Sequence, residues 1–276
     1  MSDIVYHYTD LNALHGILEN KVIWLNNIQL MNDSTENSLF FGKLKKRFEK
    51  LNMEEIYASG VEKAFKNIDT YCTSFSKKPD LLSQWRGYTP NEGGYCIGFD
   101  RSKLKRRLVK GNKNTGDDKN RHLGGHVSFI YDCLYDEEEQ NVIVNNVVDE
   151  LIKLHNLYRS QENNSDLRDI IHINTFIDLS VHQATFKNKH FCEEDEVRYV
   201  FSLDKPDIQE KPFFRAGNIL KSYYELSIPD DAIKEIYIGP CENIELKKLS
   251  LEHYFRCSNI DPTDMIKLSE IPFRNT

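Results

Sequence analysis

The sequence predicts an α+β protein built on a largely antiparallel sheet, and three observations carry that prediction. Short runs with strand-like alternation recur along the chain, at 4–9, 22–25, 68–76, 95–100, 126–133, 197–203 and 233–238. Helical patterns fall between some of these runs but not all, so the strict alternation of a doubly wound parallel sheet is missing. The glycines at Gly93, Gly94 and Gly98 have the wrong spacing for a dinucleotide fingerprint, and no strand directly precedes them as a βαβ unit requires, which excludes a Rossmann domain.

The first run, Ile4 to Thr9, ends in polar residues, and Asp10 opens a helical pattern with Leu11, Leu14, Ile17 and Leu18 on one side. Thr9 or Asp10 caps that helix, which leaves His7, Tyr8 and Thr9 at a strand exit beside a helix N-terminus, where ligands often meet backbone amides. A second strand over Val22–Leu25 leads to Met31-Asn32-Asp33-Ser34-Thr35-Glu36, where Asp33 or Ser34 offers the cap of a long helix through Leu51. Asn32 is either part of that cap or a ligand-binding residue. After a helical piece around 54–66, the strand Ile68–Ser76 exits through small hydroxyls, Ser74 and Ser76 among them. Asp80–Tyr88 is a loop or short helix whose Trp85 and Tyr88 share a face, and Tyr95 begins the next strand after its glycine turn.

Residues 101–122 hold nine lysines and arginines against Asp117 and Asp118, the one strongly basic segment in a chain of formal charge −7. The overall charge argues against indiscriminate binding to nucleic acid or acidic membranes and leaves room for one basic face. His122 and His126 are separated by two glycines, which disfavour the helix that would make them a metal pair. Two helices follow, and residues 134–186 read as a helical insertion in a single domain spanning 1–276. Strands at 213–228, 233–238 and 265–271, with a helix near 245–255, complete the chain.

No apolar run approaches the roughly 18–20 residues of a membrane span, and Met1 to Val5 lacks the layout of a signal peptide, so a cytoplasmic location without a membrane is expected. Six scattered cysteines contain no C-x-x-C pair, which gives a zinc cage or disulfide framework little support and leaves them as reduced thiols.

The most suggestive stretch is Cys192-Glu193-Glu194-Asp195-Glu196-Val197-Arg198, four acids feeding an alternating apolar run. On a strand, Glu194, Glu196 and Arg198 would share one face. Two carboxylates that close disfavour double ionisation, and the guanidinium would hold at least one of them charged. Either a catalytic carboxylate or a solvated ion pair at a strand end fits that pattern.

Taken in order, His-Tyr-Thr, Trp-Leu with Asn-Asp-Ser-Thr-Glu, Ser-Phe-Ser, Trp85 with Tyr88, Gly-Gly-Tyr-Cys-Ile-Gly-Phe, Glu-Asp-Glu-Val-Arg, Ile-Gly-Pro and Ser-Glu-Ile-Pro-Phe-Arg resemble a bacterial domain family of unknown function. That family is similar to a remote branch of the ADP-ribosyltransferase superfamily. The resemblance implies a split β-sandwich with flanking helices, and NAD as co-substrate. It also implies His7, with Tyr8, Thr9 and Arg198, gripping NAD, Ser74 or Ser76 ordering the site, and Trp85, Tyr88 or Tyr95 stacking on nicotinamide. Glu196 would be the catalytic carboxylate and Glu194 its partner toward the acceptor. The implied activity is mono-ADP-ribosyl transfer to RNA, DNA or protein, as a toxin or phage-defence effector that an antitoxin or inhibitor protein would restrain. The basic segment 101–122 is the expected nucleic-acid contact. NAD glycohydrolysis and a non-catalytic binding module are the alternatives, and they differ from the transferase in a testable way: an enzyme needs His7, the Ser74–Tyr88 region and Glu196 to converge on one pocket.

Overall fold

The computed structural model describes residues 3–31, 36–62, 68–90, 93–105, 107–112, 126–160, 176–204 and 211–272. Asn32, the caps expected at Asp33 or Ser34, the histidine at 122 and much of the basic segment lie outside the described residues. The architecture is mixed α/β around an 11-stranded, mostly antiparallel sheet. Its strands are β1 (Ile4–Thr9), β2 (Val22–Asn27), β3 (Ile68–Ser76), β4 (Tyr95–Asp100), β5 (Val109–Lys110), β6 (His126–Asp132), β7 (Glu196–Asp204), β8 (Phe213–Arg215), β9 (Lys221–Ser227), β10 (Ile233–Ile238) and β11 (Ile266–Leu268). Among the strands of the described residues, β10 and β11 pair in parallel and the rest antiparallel.

The feature that shapes the molecule is a fork at β3. Strand β7 runs along one edge of β3 without interruption, from Ile68 opposite Asp204 to Ser76 opposite Glu196. The other edge is therefore shared: β1 joins it at Tyr6 opposite Ser76, and β2 joins it at Asn26 and Asn27 opposite Cys72 and Tyr71. Between Cys72 and Ser76 that edge has no strand partner among the described residues. Buried backbone groups there need other partners, and the carbonyl of Ser74 has found one in the ring of His7, whose Nδ1 lies 2.9 Å away. From the fork, β4, β10 and β11 extend beyond β1, while β9, β5 and β8 extend beyond β2.

Helix α1 (Leu11–Asn20) is capped by Asp10, whose side chain accepts from the Ala13 amide at 2.8 Å, and it buries Leu14, Ile17 and Leu18 against the sheet. A second apolar core forms between α2 (Glu36–Lys50), α4 (Glu137–Ser160) and a further helix, α5, over 176–185; α3 is the short helix Leu82–Tyr88. Phe40, Leu44, Phe48, Val148, Leu179 and Phe186 are its centre, and Ile68 ties it to β3. Each such side chain contributes roughly 1.5–3 kcal/mol on burial. Of the expected insertion, the described residues 137–160 and 176–186 pack with α2 and Ile68 of β3. Its exit is fixed by Gln140, whose Nε2 donates to the carbonyls of Leu134 and Lys187 at 2.7 and 2.8 Å.

On the far side of β1, the motifs around Trp85, Gly239 and Ser269 form one buttress. The Trp85 ring packs edge-on against Tyr8 at 4.7 Å between centroids, and its indole N–H donates to Asp80 at 2.6 Å. Asp80 also accepts from the Ser269 hydroxyl and the Glu270 amide. Gly239 lies against the indole so closely that a Cβ there would sit 2.8 Å from the ring. A Gly239→Val variant is therefore expected to lose about 1–3 kcal/mol through overpacking, read as a lowered midpoint in urea; an unchanged midpoint would mean that the indole has room to move.

Candidate functional site

The fork opens into a cleft of about 400 Å³, within the size range of small-molecule sites. Its walls include His7 and Tyr8 of β1, Asn26 of β2, Ser74 and Ser76 of β3, Tyr88 of α3, and Lys187, Glu194, Glu196 and Arg198. Residues from six separate stretches of chain meet there because the gap in the β3 edge leaves their side chains a common space.

At the base of the cleft stand four charges. Glu196, Arg198 and Lys187 are each at least nine-tenths buried, which is tolerated only when charges are paired and hydrogen-bonded. Lys187 donates to Glu194 and to Glu196, both at 2.5 Å. Arg198 donates from Nε to Glu196 Oε1 at 2.6 Å and from Nη2 to Oε2 at 3.2 Å, and its Nη1 is held by the Ala184 carbonyl at 2.8 Å. Burial alone would raise the Glu196 pKa, but Arg198 and Lys187 outweigh it and bring it down to about 2. The carboxylate is consequently ionised throughout the neutral range and is a poor proton acceptor there.

Glu194 reaches this cluster by a different route from the one expected. It belongs not to β7 but to a 3₁₀ turn, Lys189–Glu194, and Asp195 follows with φ 44°, in the left-handed region. That reversal, rather than strand alternation, sets Glu194 beside Glu196, while Arg198 does share the strand face as expected. The turn is pinned by the Ser76 hydroxyl, which donates to the Glu194 carbonyl at 2.7 Å. Glu194 is the more exposed of the two carboxylates, with 15% of its side chain accessible against 7% for Glu196, and the Tyr88 hydroxyl stands 3.5 Å from it at the cleft rim.

His7 lies deep among protein atoms yet keeps part of its ring open to the cleft, and burial lowers its pKa. Because a carbonyl only accepts, the Ser74 contact requires the proton on Nδ1, and Nε2 is then an acceptor in a neutral ring. Tyr8 turns its hydroxyl to the backbone, donating to the Lys78 carbonyl at 2.8 Å and accepting from the Leu81 amide at 3.0 Å, so it orders the wall.

Three expected residues are placed elsewhere. Thr9 is buried at the end of β1, opposite Tyr95, and does not line the cleft. Trp85 is occupied in the buttress behind Tyr8. Tyr95 faces α1 and α6 (Ile244–Cys257), where the Lys247 ammonium sits 5.7 Å from its ring centroid. Of the three candidate aromatics only Tyr88 lines the cleft. In the basic segment, Arg101 is bound by Asp132 at 3.0 and 3.2 Å and Lys103 by Asp231 at 2.5 Å, so both cations are already paired with acids, Lys103 at the surface.

Lys187 and Asn26 were not expected in the site. Lys187 has no motif to announce it; its only sequence signal is a cation at the end of an apolar helix, followed within nine residues by the acid cluster. Among the described residues no group of three or more potential metal ligands occurs, and no helix is long and apolar enough to cross a membrane.

Fold and cleft together define a mixed α/β protein with a concave site floored by buried, paired charges. A family model for a protein of unknown function, DUF2971, matches residues 84–199. That stretch runs from α3 to β7 and so includes Tyr88, Lys187, Glu194, Glu196 and Arg198, but not His7 on β1. No curated protein and no solved structure matches the chain.

Proposed function

We propose that the cleft binds NAD and cleaves its nicotinamide-ribose bond, passing ADP-ribose to an acceptor. One observation carries this reading: His7, the Ser74–Tyr88 region and the Glu194-Glu196-Arg198 cluster, far apart in sequence, line a single cleft at the fork of the sheet. A fork of this kind is also what a split β-sandwich of the ADP-ribosyltransferase type would present, and that likeness of fold is analogy only.

The chemistry suits the residues. Loss of nicotinamide leaves a ribose with oxocarbenium character, which a fixed negative charge stabilises. Glu196, ionised down to about pH 2 and locked by two cations, is such a charge and not a base. Glu194, nearer the rim, is the carboxylate that takes the proton from an acceptor hydroxyl or amine. Neutral His7 accepts a hydrogen bond from a ribose hydroxyl or the nicotinamide amide, and Tyr88 offers the flat face against which the leaving ring stacks.

A second reading is favoured by the fact that both Glu196 oxygens are already engaged: a binding module in which the ion cluster only shapes the wall. Incubation with NAD labelled on the adenosine side, alone and with RNA, DNA or protein, separates the two. Nicotinamide release with label moving into one fraction is expected. Release without transfer would make the protein a glycohydrolase, and NAD binding without release would leave the binding module.

A further inference from the structure

Outside the cleft, the described residues include an aromatic ladder on the β2-β9-β8 wing of the sheet. Trp24 stacks on Tyr223 at 4.3 Å between centroids with 29° between planes, and Tyr223 stacks on Phe213 at 5.4 Å and 26°. The guanidinium of Arg215 lies 5.5 Å from the Trp24 ring. Aromatic pairs across strands stabilise a sheet in their own right, and these three near-parallel rings also form a flat face on which Trp24 stays 39% exposed.

Two further observations say what would lie on it. The charges around the ladder are mainly positive: Lys110, Lys211, Arg215 and Lys221 stand on β5, β8, β9 or the approach to them, against Glu225 among the described residues of the same strands. The ladder is also continuous with the cleft, because Asn26, a cleft residue, pairs directly with Tyr223 across β2 and β9. The side-chain oxygen of Asn26 is buried and has no hydrogen-bond partner. An orphaned acceptor at the junction of a stacking surface and a pocket suits an incoming N–H donor such as a base amino group.

We propose that this wing binds single-stranded nucleic acid, with bases against the Trp24-Tyr223-Phe213 ladder, phosphates against the surrounding cations, and one nucleotide led past Asn26 into the cleft. Stacking on aromatic faces combined with a cationic track is the recurrent means of holding single strands, and a duplex keeps its base faces hidden. Of the described residues of the segment 101–122 this surface takes Lys110, whereas Arg101 and Lys103 are paired with Asp132 and Asp231. The binding itself stands independently; only the casting of the strand as ADP-ribose acceptor rests on the function proposed above.

The test uses fluorescein-labelled mixed-sequence RNA and DNA single strands and the matching duplex, titrated by anisotropy and by the protein's own tryptophan emission. Trp24 is exposed and Trp85 buried, so bound bases should quench Trp24 selectively. Trp24→Ala and Phe213→Ser are expected to weaken single-strand binding by about 5- to 150-fold each, Trp24→Phe to restore most of it, and Arg215→Gln to reduce the salt dependence. Nicotinamide release should be the same in Trp24→Ala as in the unaltered chain. Absence of single-strand binding, equal affinity in Trp24→Ala, a preference for duplex, or a dimer dissolved by Phe214→Ser in a protein that binds no strand would each overturn the proposal. Strand binding without NAD cleavage would leave it standing and remove the transferase; NAD cleavage without strand binding would do the reverse.

Discussion

Replacing Lys187 with methionine is expected to destabilise the protein by about 3–5 kcal/mol, because it leaves two carboxylates facing each other in a buried site with Arg198 as their counter-charge among the described residues. Equilibrium denaturation in urea at neutral pH measures this directly. The companion prediction concerns acid. Glu196 has its pKa lowered from 4.5 to about 2 in the folded chain. Its contribution to stability is therefore present above the unfolded value and is lost as pH falls through the folded one, within the window from about 4.5 to 2. In Lys187→Met the folded pKa should rise, and the acid limb of the stability curve should move to higher pH. Adding Glu196→Leu to Lys187→Met removes one stranded charge and should recover part of the loss. An Lys187→Met variant as stable as the parent would show that the lysine is dispensable to the cluster and would remove it from the account of the site.

Glu196→Gln is expected to lower nicotinamide release from NAD at least about 100-fold, the range seen when a fixed electrostatic contact to a charged transition state is removed. Glutamine keeps the size and one accepting oxygen, so NAD binding should persist within a few fold and the thermal midpoint serves as the control for folding. Glu194→Gln should behave differently. Its carboxylate is nearer the rim and beside Tyr88, so transfer to the acceptor should fall while hydrolysis of NAD continues. If both variants lost release equally, the division of labour between the two carboxylates would be wrong; if neither did, the cleft would not be catalytic.

Much of the fold was legible because local rules governed it. The strand pattern of β3 and β7 and a cap of α1 at Thr9 or Asp10 needed no tertiary information, and the structure puts the cap at Asp10. The fork did not show, since which strand borders which edge of β3 depends on pairings far apart in sequence. The site divides along the same line. Glu196 and Arg198 share a strand face and were readable from period two, whereas Glu194 arrives through a left-handed Asp195 that no alternation reveals. Lys187 was invisible because its role exists only once α5 packs its end against β7. Trp85 and Tyr95 misled for a general reason: an aromatic beside a glycine fits a core or buttress as well as a stacking site, and burial decides between them.

The proposed chemistry depends on NAD sitting in the cleft at the fork. The most direct test is a crystal structure of the chain with a carbocyclic NAD analogue that cannot lose nicotinamide. The analogue is expected in the cleft, its nicotinamide against Tyr88 and its ribose ring within hydrogen-bonding reach of His7 or the Glu194-Glu196 pair. An empty cleft at saturating analogue, or the analogue bound elsewhere, would contradict it.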